Sequence, residues 1–95
     1  MRTLPELPER LTHEQADAYV QSCLAVIDSG SAAQPDAAWT LDAAALRQFD
    51  SSALAALLGV ARLLQARGGR LQVLQMPLRL RELSALYGVS ELLGA

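Results

Sequence analysis

The feature that most constrains the fold of this chain is a long amphipathic helix signal between two strand signals. Apolar residues recur every three or four positions over residues 51–67, which predicts one helix, and Gly68-Gly69 ends it. The predicted apolar side of this helix is formed by Leu54, Leu57, Leu58, Ala61 and Leu64, with Val60 at its margin. Residues 37–42 and 71–76 are predicted strands. A strand, a helix and a strand in this order favour a right-handed crossover, so the two strands should pair in parallel.

A capping box predicts the start of an earlier helix. Thr12 is followed three residues later by Gln15, a spacing in which each residue can satisfy a backbone group of the other. Apolar residues then recur at helical spacing, and the one cysteine, Cys23, lies among them. We therefore expect Cys23 to be packed inside the domain. A loop rich in Gly, Ser, Ala and Pro is predicted over residues 29–36.

Prolines shape both ends of the chain. Pro5 and Pro8 favour an extended lead-in over residues 1–10, with at most one short edge strand, because proline cannot donate to a sheet. Pro77 suits the first turn of a third helix, where a backbone N–H is not needed. The predicted apolar side of the third helix contains Leu80, Leu83 and either Leu86 or Tyr87. Helices on a small sheet predict an α/β fold.

Size and charge exclude several classes of protein. The 95 residues suffice for a single domain, 1–95, and 52% of them are hydrophobic, which argues against disorder. The net charge of −2 gives no general attraction to nucleic acid. The charge is uneven, since residues 51–95 hold five Arg and only two acidic residues. This excess of arginine predicts either a surface that binds an acidic partner or an ordinary solvated surface.

The sequence predicts a cytoplasmic protein. One cysteine cannot form an intrachain disulfide, so an oxidising compartment is not indicated. The N-terminus lacks an apolar run of signal-peptide length, and no stretch approaches the roughly 20 apolar residues that span a bilayer. We therefore expect no direct insertion into a membrane, and any membrane association to arise through a partner.

The search for catalytic motifs predicts no enzyme, no cofactor and no metal site. His13 is the only histidine, and no motif pairs it with a nucleophile. The chain has no lysine, so a Walker-type phosphate loop is excluded, and metal-ligand spacings are absent. Asp42 and Asp50 flank a turn, where capping or turn roles are expected of them.

The stretch Asp50-Ser51-Ser52 precedes the long helix and is the candidate functional site. Asp50 or Ser51 is the predicted N-cap, since a side-chain oxygen there can accept from an orphan backbone N–H. The partial positive charge of a helix N-terminus also favours an anion or an added phosphate. Two hydroxyls at this position suit a docking or switching point, although they are also an ordinary way to begin a helix, and Ser and Asp are the commonest caps in any case.

Asp50-Ser51-Ser52-Ala53-Leu54 resembles the Asp-Ser/Thr-x-Gly-Leu signature of the STAS domain, with Ala53 in place of the glycine. The tail over residues 80–93 is similar to one branch of that family, the small cytoplasmic STAS subunit of the Mla phospholipid ABC transporter of bacteria. The resemblance covers roughly residues 10–94. It implies a small mixed β-sheet covered by amphipathic helices.

The resemblance also implies a function. A subunit of this branch is a non-catalytic accessory protein that binds the transporter's cytoplasmic ATPase, and hence its permease, and supports their assembly and activity. The implied contact residues are Asp50, Ser51, Ser52 and Ala53. The alternative within the family is an anti-sigma factor antagonist, in which a partner kinase phosphorylates Ser51 and the added negative charge switches binding.

Overall fold

A computed structural model describes residues 2–29 and 38–94. It contains strands, three α-helices and one short 3-10 helix. In chain order these are β1 (Arg2–Thr3), β2 (Arg10–Leu11), α1 (His13–Ser29), β3 (Ala38–Asp42), β4 (Gln48–Phe49), α2 (Ser51–Ala66), β5 (Arg70–Leu74), α3 (Leu78–Leu86) and the 3-10 helix Glu91–Leu93. The predicted loop over residues 29–36 lies almost wholly outside the described residues.

All of the described strand pairs are parallel. β3 lies between β1 and β5 in a three-stranded sheet, and β2 pairs with β4 in a second sheet. The β3–β5 register places Trp39 opposite Leu71 and Leu41 opposite Val73, and all four side chains are buried. The predicted α/β class and the parallel pair around α2 are therefore confirmed.

The core lies between the sheet and α2, with α1 packed against α2. The buried side of α2 comprises Ala53, Leu54, Ala56, Leu57, Val60, Ala61 and Leu64. Val60 is fully buried whereas Leu58 is only partly buried, so the core-facing side is rotated slightly from the predicted one. On α1 the predicted burial of Cys23 is confirmed, and Tyr19 and Ile27, at helical spacing from it, are buried as well.

The N-terminal segment is packed more closely than the prolines suggested. Two two-residue strands, β1 and β2, form where one was expected. Between them the backbone N–H groups of Leu4 and Leu7 donate to the carbonyl oxygens of Thr40 and Asp42, at 2.8 and 3.0 Å. Pro5 interrupts the ladder without leaving a donor unpaired, and both leucine side chains are buried. The buried leucines thus determine the path of this segment as much as the prolines do.

The third helix presents a different side to the core than its leucines predicted. Leu80 is buried, but Leu86 and Tyr87 are 80% and 61% exposed, so their predicted place on the apolar side is wrong. Ser84 is buried instead, one turn after Leu80. Its hydroxyl donates to the carbonyl oxygen of Arg81 at 2.8 Å, which removes most of the cost of burying a polar group.

The hydroxyl of the buried residue Tyr19 leads us to expect that the folded domain loses stability at alkaline pH. Its hydroxyl donates to the carbonyl oxygen of Pro5 at 2.7 Å, and burial raises its pKa above the ordinary value of 10.0. Above about pH 10 the unfolded chain releases this proton while the folded chain keeps it, so stability falls by about 1.4 kcal/mol per pH unit. Urea unfolding from pH 8 to 11 should show this slope.

The matched variant is Tyr19→Phe. At pH 8 it should lose about 1 kcal/mol with the hydrogen bond, yet its stability should fall less steeply above pH 10. Burial also raises the pKa of the Cys23 thiol, so the part of the alkaline slope that comes from Cys23 should remain in the variant. A slope equal to that of the unmodified protein would show that Tyr19 does not cause the effect.

Candidate functional site at the start of α2

Asp50 is the N-cap of α2. Its backbone is extended, with φ −129° and ψ −167°, and its Oδ1 accepts from the backbone N–H of Ser52 at 2.8 Å. Its carbonyl oxygen also accepts from Ala53 N at 3.0 Å. Of the two predicted caps, Asp50 is therefore the one that forms, and Ser51 is the first helical residue. The negative charge of Asp50 lies at the positive end of the helix, which stabilises the start of α2.

The four predicted site residues differ in their exposure. Asp50 and Ser51 are exposed, Ser52 is partly buried, and Ala53 has no exposed surface. Within the described part of the chain, no hydrogen bond involves the Ser51 hydroxyl, which leaves it available to another molecule. The methyl group of Ala53 packs in the domain's own core, so this side chain is not itself part of the exposed surface.

A shallow surface groove runs between α1 and α2 beside this helix start. It has a volume of about 350 Å³. Its lining residues come from both helices: His13, Ala16, Asp17, Val20, Ser52, Ala55 and Ala56. We call it the docking groove. The alanines in its lining leave space between the two helices. Ser52 also lies in the lining and Ser51 precedes it on α2, so the predicted serine pair and the groove form one continuous surface.

The docking groove carries negative charge. Asp17 lies in its lining and is exposed. Two further exposed carboxylates lie near the groove without lining it, Glu14 in the first turn of α1 and Asp50 at the start of α2. Apolar space with carboxylates nearby suits an apolar side chain of a partner that carries Arg or Lys close by. Sequence reasoning identified the serines but not the groove, since the pairing of α1 with α2 is a tertiary contact.

The composition of the groove also raises the question of catalysis. Ser52, His13 and Asp17 are the residue types of a nucleophile, a base and an orienting acid, and all three line the groove. Across residues 2–29 and 38–94 no hydrogen bond joins any two of them.

Asp42 behaves as a turn residue. Its Oδ1 accepts from the backbone N–H of Ala44 at 2.8 Å, which shapes the turn between β3 and β4. No group of acidic, histidine or cysteine side chains among the described residues has the arrangement of a metal site. None of the described helices is long and apolar enough to cross a membrane.

A second recess, of about 400 Å³, lies near the other end of α2. Gln65, Arg70 and Glu91 are among its lining residues. It contains none of the predicted site residues Asp50, Ser51, Ser52 and Ala53. The predicted site residues are therefore gathered at the first turn of α2, next to the docking groove.

Comparison with known proteins identifies the chain's relatives. A family model described as "Mlab, STAS domain" matches residues 6–94. The matched range includes all three α-helices and therefore both sides of the docking groove. No curated protein matches the chain.

Proposed function

The chain belongs to the Mlab family of STAS domains, and from this premise we propose that it is a non-catalytic accessory subunit of a phospholipid ABC transporter. It binds the cytoplasmic ATPase of the transporter and supports the assembly and activity of the ATPase with its permease. The protein is then cytoplasmic and lies at the inner membrane only through the complex. The observation that carries the proposal is the exposed Ser51 hydroxyl, which forms no hydrogen bond within residues 2–29 and 38–94, at the capped start of α2 beside the docking groove.

The start of α2 is well suited to bind a rigid partner surface. Asp50 already holds the first turn through Ser52 N, so little conformational freedom is lost when a partner binds. The Ser51 hydroxyl can both donate and accept a hydrogen bond. The docking groove accommodates an apolar side chain, and Asp17 attracts a basic residue beside it.

The proposed role needs no chemistry from this chain. A subunit that positions an ATPase contributes binding free energy, and the ATPase supplies catalysis. In such a role, the groove residues Ser52, His13 and Asp17 are contact residues for the ATPase.

Replacing Ser51 with aspartate should abolish copurification of the ATPase. An ionised aspartate accepts hydrogen bonds but donates none, so the hydrogen bond that the Ser51 hydroxyl donates to the partner is lost. Aspartate is favourable in a first helical turn, so the fold should persist. The measurement is affinity purification of the tagged protein from its own cells in mild detergent, followed by mass spectrometry.

Ser22→Asp is the matched control. Ser22 is exposed on α1, and it does not line the docking groove. This variant should recover the ATPase and permease as the unmodified protein does. Recovery of the ATPase with Ser51→Asp at the same yield would contradict the proposed contact.

The exposed Ser51 hydroxyl also supports the second candidate, an anti-sigma factor antagonist. A kinase requires an accessible hydroxyl, and Ser51 is exposed. A phosphate there would add about −1.5 to −2 charges next to Asp50. Recovery of a soluble kinase-like protein without a transporter, together with phosphorylated Ser51, would favour this function over the first.

A further inference from the structure

The exposed large apolar side chains of the described residues are concentrated near α3. Leu78, Leu86 and Tyr87 are 69%, 80% and 61% exposed, and Leu74 at the end of β5 is 39% exposed. Leu78 and Leu86 are eight residues apart and so lie on the same side of α3. That side is fixed outward, because Leu80 and Ser84 hold the opposite side in the core.

Charged residues accompany the apolar ones. Arg79, Arg81 and Glu82 are exposed, and Glu82 lies between Leu78 and Leu86 on the outward side. Neither guanidinium forms an ion pair anywhere in residues 2–29 and 38–94. We define the α3 surface as these exposed residues: Leu78, Arg79, Arg81, Glu82, Leu86 and Tyr87.

We propose that the α3 surface binds an amphipathic, acidic segment of another protein. Apolar side chains of that segment cover Leu78 and Leu86, and its carboxylates pair with Arg79 and Arg81. The two arginines outnumber Glu82, so the surface is complementary to negative charge. Glu82 also requires a hydrogen-bond donor when it is covered, and a polypeptide supplies donors.

Two other occupants fit the charges less well. An anionic membrane attracts the arginines, but inserting the leucines would bring the carboxylate of Glu82 out of water with no partner. A second copy of this chain has the same excess of arginine over glutamate on α3, so docking α3 to α3 would leave positive charge without a counter-charge. A segment of opposite charge avoids both costs.

The α3 surface is separate from the docking groove. None of its residues lines that groove, and α2 contacts both α1 and α3. The inference therefore goes beyond the proposed contact with the ATPase at Ser51. A negative result for one of the two proposals would not contradict the other.

The test is selection of peptides from a random phage library on the full-length protein, with affinities measured by fluorescence anisotropy. The enriched peptides should carry apolar residues at helical spacing with Asp or Glu beside them. Leu78→Ser combined with Leu86→Ser should weaken their binding by about tenfold or more. Both leucines are exposed, so circular dichroism should show an unchanged fold. Ser51→Asp should leave this binding unchanged.

A charge exchange makes the test specific. Arg79→Glu combined with Arg81→Glu should also weaken binding by about tenfold, and peptides with Lys in place of their acidic residues should recover it. The matched control is Arg62→Glu, which alters an exposed arginine on α2 outside this surface. It should change the affinity by less than about twofold.

Several outcomes would overturn the proposal. One is the enrichment of no peptides, or of peptides without acidic residues. Another is binding that survives the leucine and arginine variants. Sedimentation with phosphatidylglycerol vesicles that depends on Leu78 and Leu86 would assign the surface to a membrane instead. A dimer seen by light scattering and lost with Leu86→Ser would assign it to a second copy of the chain.

Discussion

Replacing Leu57 with alanine is expected to lower the free energy of unfolding by about 3 kcal/mol. Leu57 has no exposed surface and lies in the core cluster on the buried side of α2. Its truncation removes buried apolar area and leaves a cavity that the surrounding helices and sheet fill only in part. A domain of this size is typically stable by roughly 5–15 kcal/mol, so the loss is a large fraction of the total.

Urea unfolding measures this loss directly. The chain's single tryptophan, Trp39, is 7% exposed in β3, so its fluorescence reports the exposure of the core. Leu58→Ala is the matched control on the same helix, and its partly buried side chain should cost about half as much. If Leu57→Ala fails to fold, Leu57→Met should still fold, with a loss below about 1.5 kcal/mol. An equal or larger loss for Leu58→Ala would show that α2 presents another side to the core.

The periodicity of the sequence predicted α2 well, because its buried side is long. Leu54, Leu57, Ala61 and Leu64 repeat over several turns, and a one-residue rotation alters only marginal positions such as Leu58 and Val60. The caps were also predictable, since Asp50 Oδ1 accepts from the backbone N–H of Ser52 two positions later, and Gln15 Oε1 accepts from the backbone N–H of Thr12 three positions earlier. Local interactions of this kind are contained in the sequence itself.

The side of α3 that faces the core was less readable. α3 has only nine residues, so its periodicity is defined by few positions. Leucines occur on both sides of it, and hydrophobicity alone favoured Leu86 over Ser84. Burial of Ser84 costs little because its hydroxyl donates to the carbonyl oxygen of Arg81. A buried serine with a local partner cannot be distinguished from an exposed one by pattern.

The candidate site was predictable in its chemistry and not in its shape. The sequence located Asp50, Ser51 and Ser52 at a helix start, and the structure places the first two on the surface. The docking groove depends on which side of α1 meets α2, and that choice is made by long-range packing. The burial of Ala53 could have been predicted, since Ala53 lies at helical spacing from Leu57 and Val60.

Replacing Ala55 with arginine is expected to weaken binding of the purified ATPase by about 30-fold or more, a loss typical of a central contact residue. Ala55 is exposed in the lining of the docking groove. An arginine side chain on a helix points back toward the N-terminus, so it would occupy the groove near Ser51. It would also neutralise Asp17, the carboxylate that we expect to attract the partner.

The effect should be on binding and not on folding. Arginine has nearly the helix propensity of alanine, and surface substitutions usually change stability by less than about 0.5 kcal/mol. Ala66→Arg introduces the same side chain at an exposed position at the other end of α2 and should leave the affinity unchanged. Calorimetric titration of both variants against the ATPase, with urea unfolding of each, separates the two effects. Equal affinity for Ala55→Arg and the unmodified protein would show that the partner does not enter the docking groove, whatever contact it makes with Ser51.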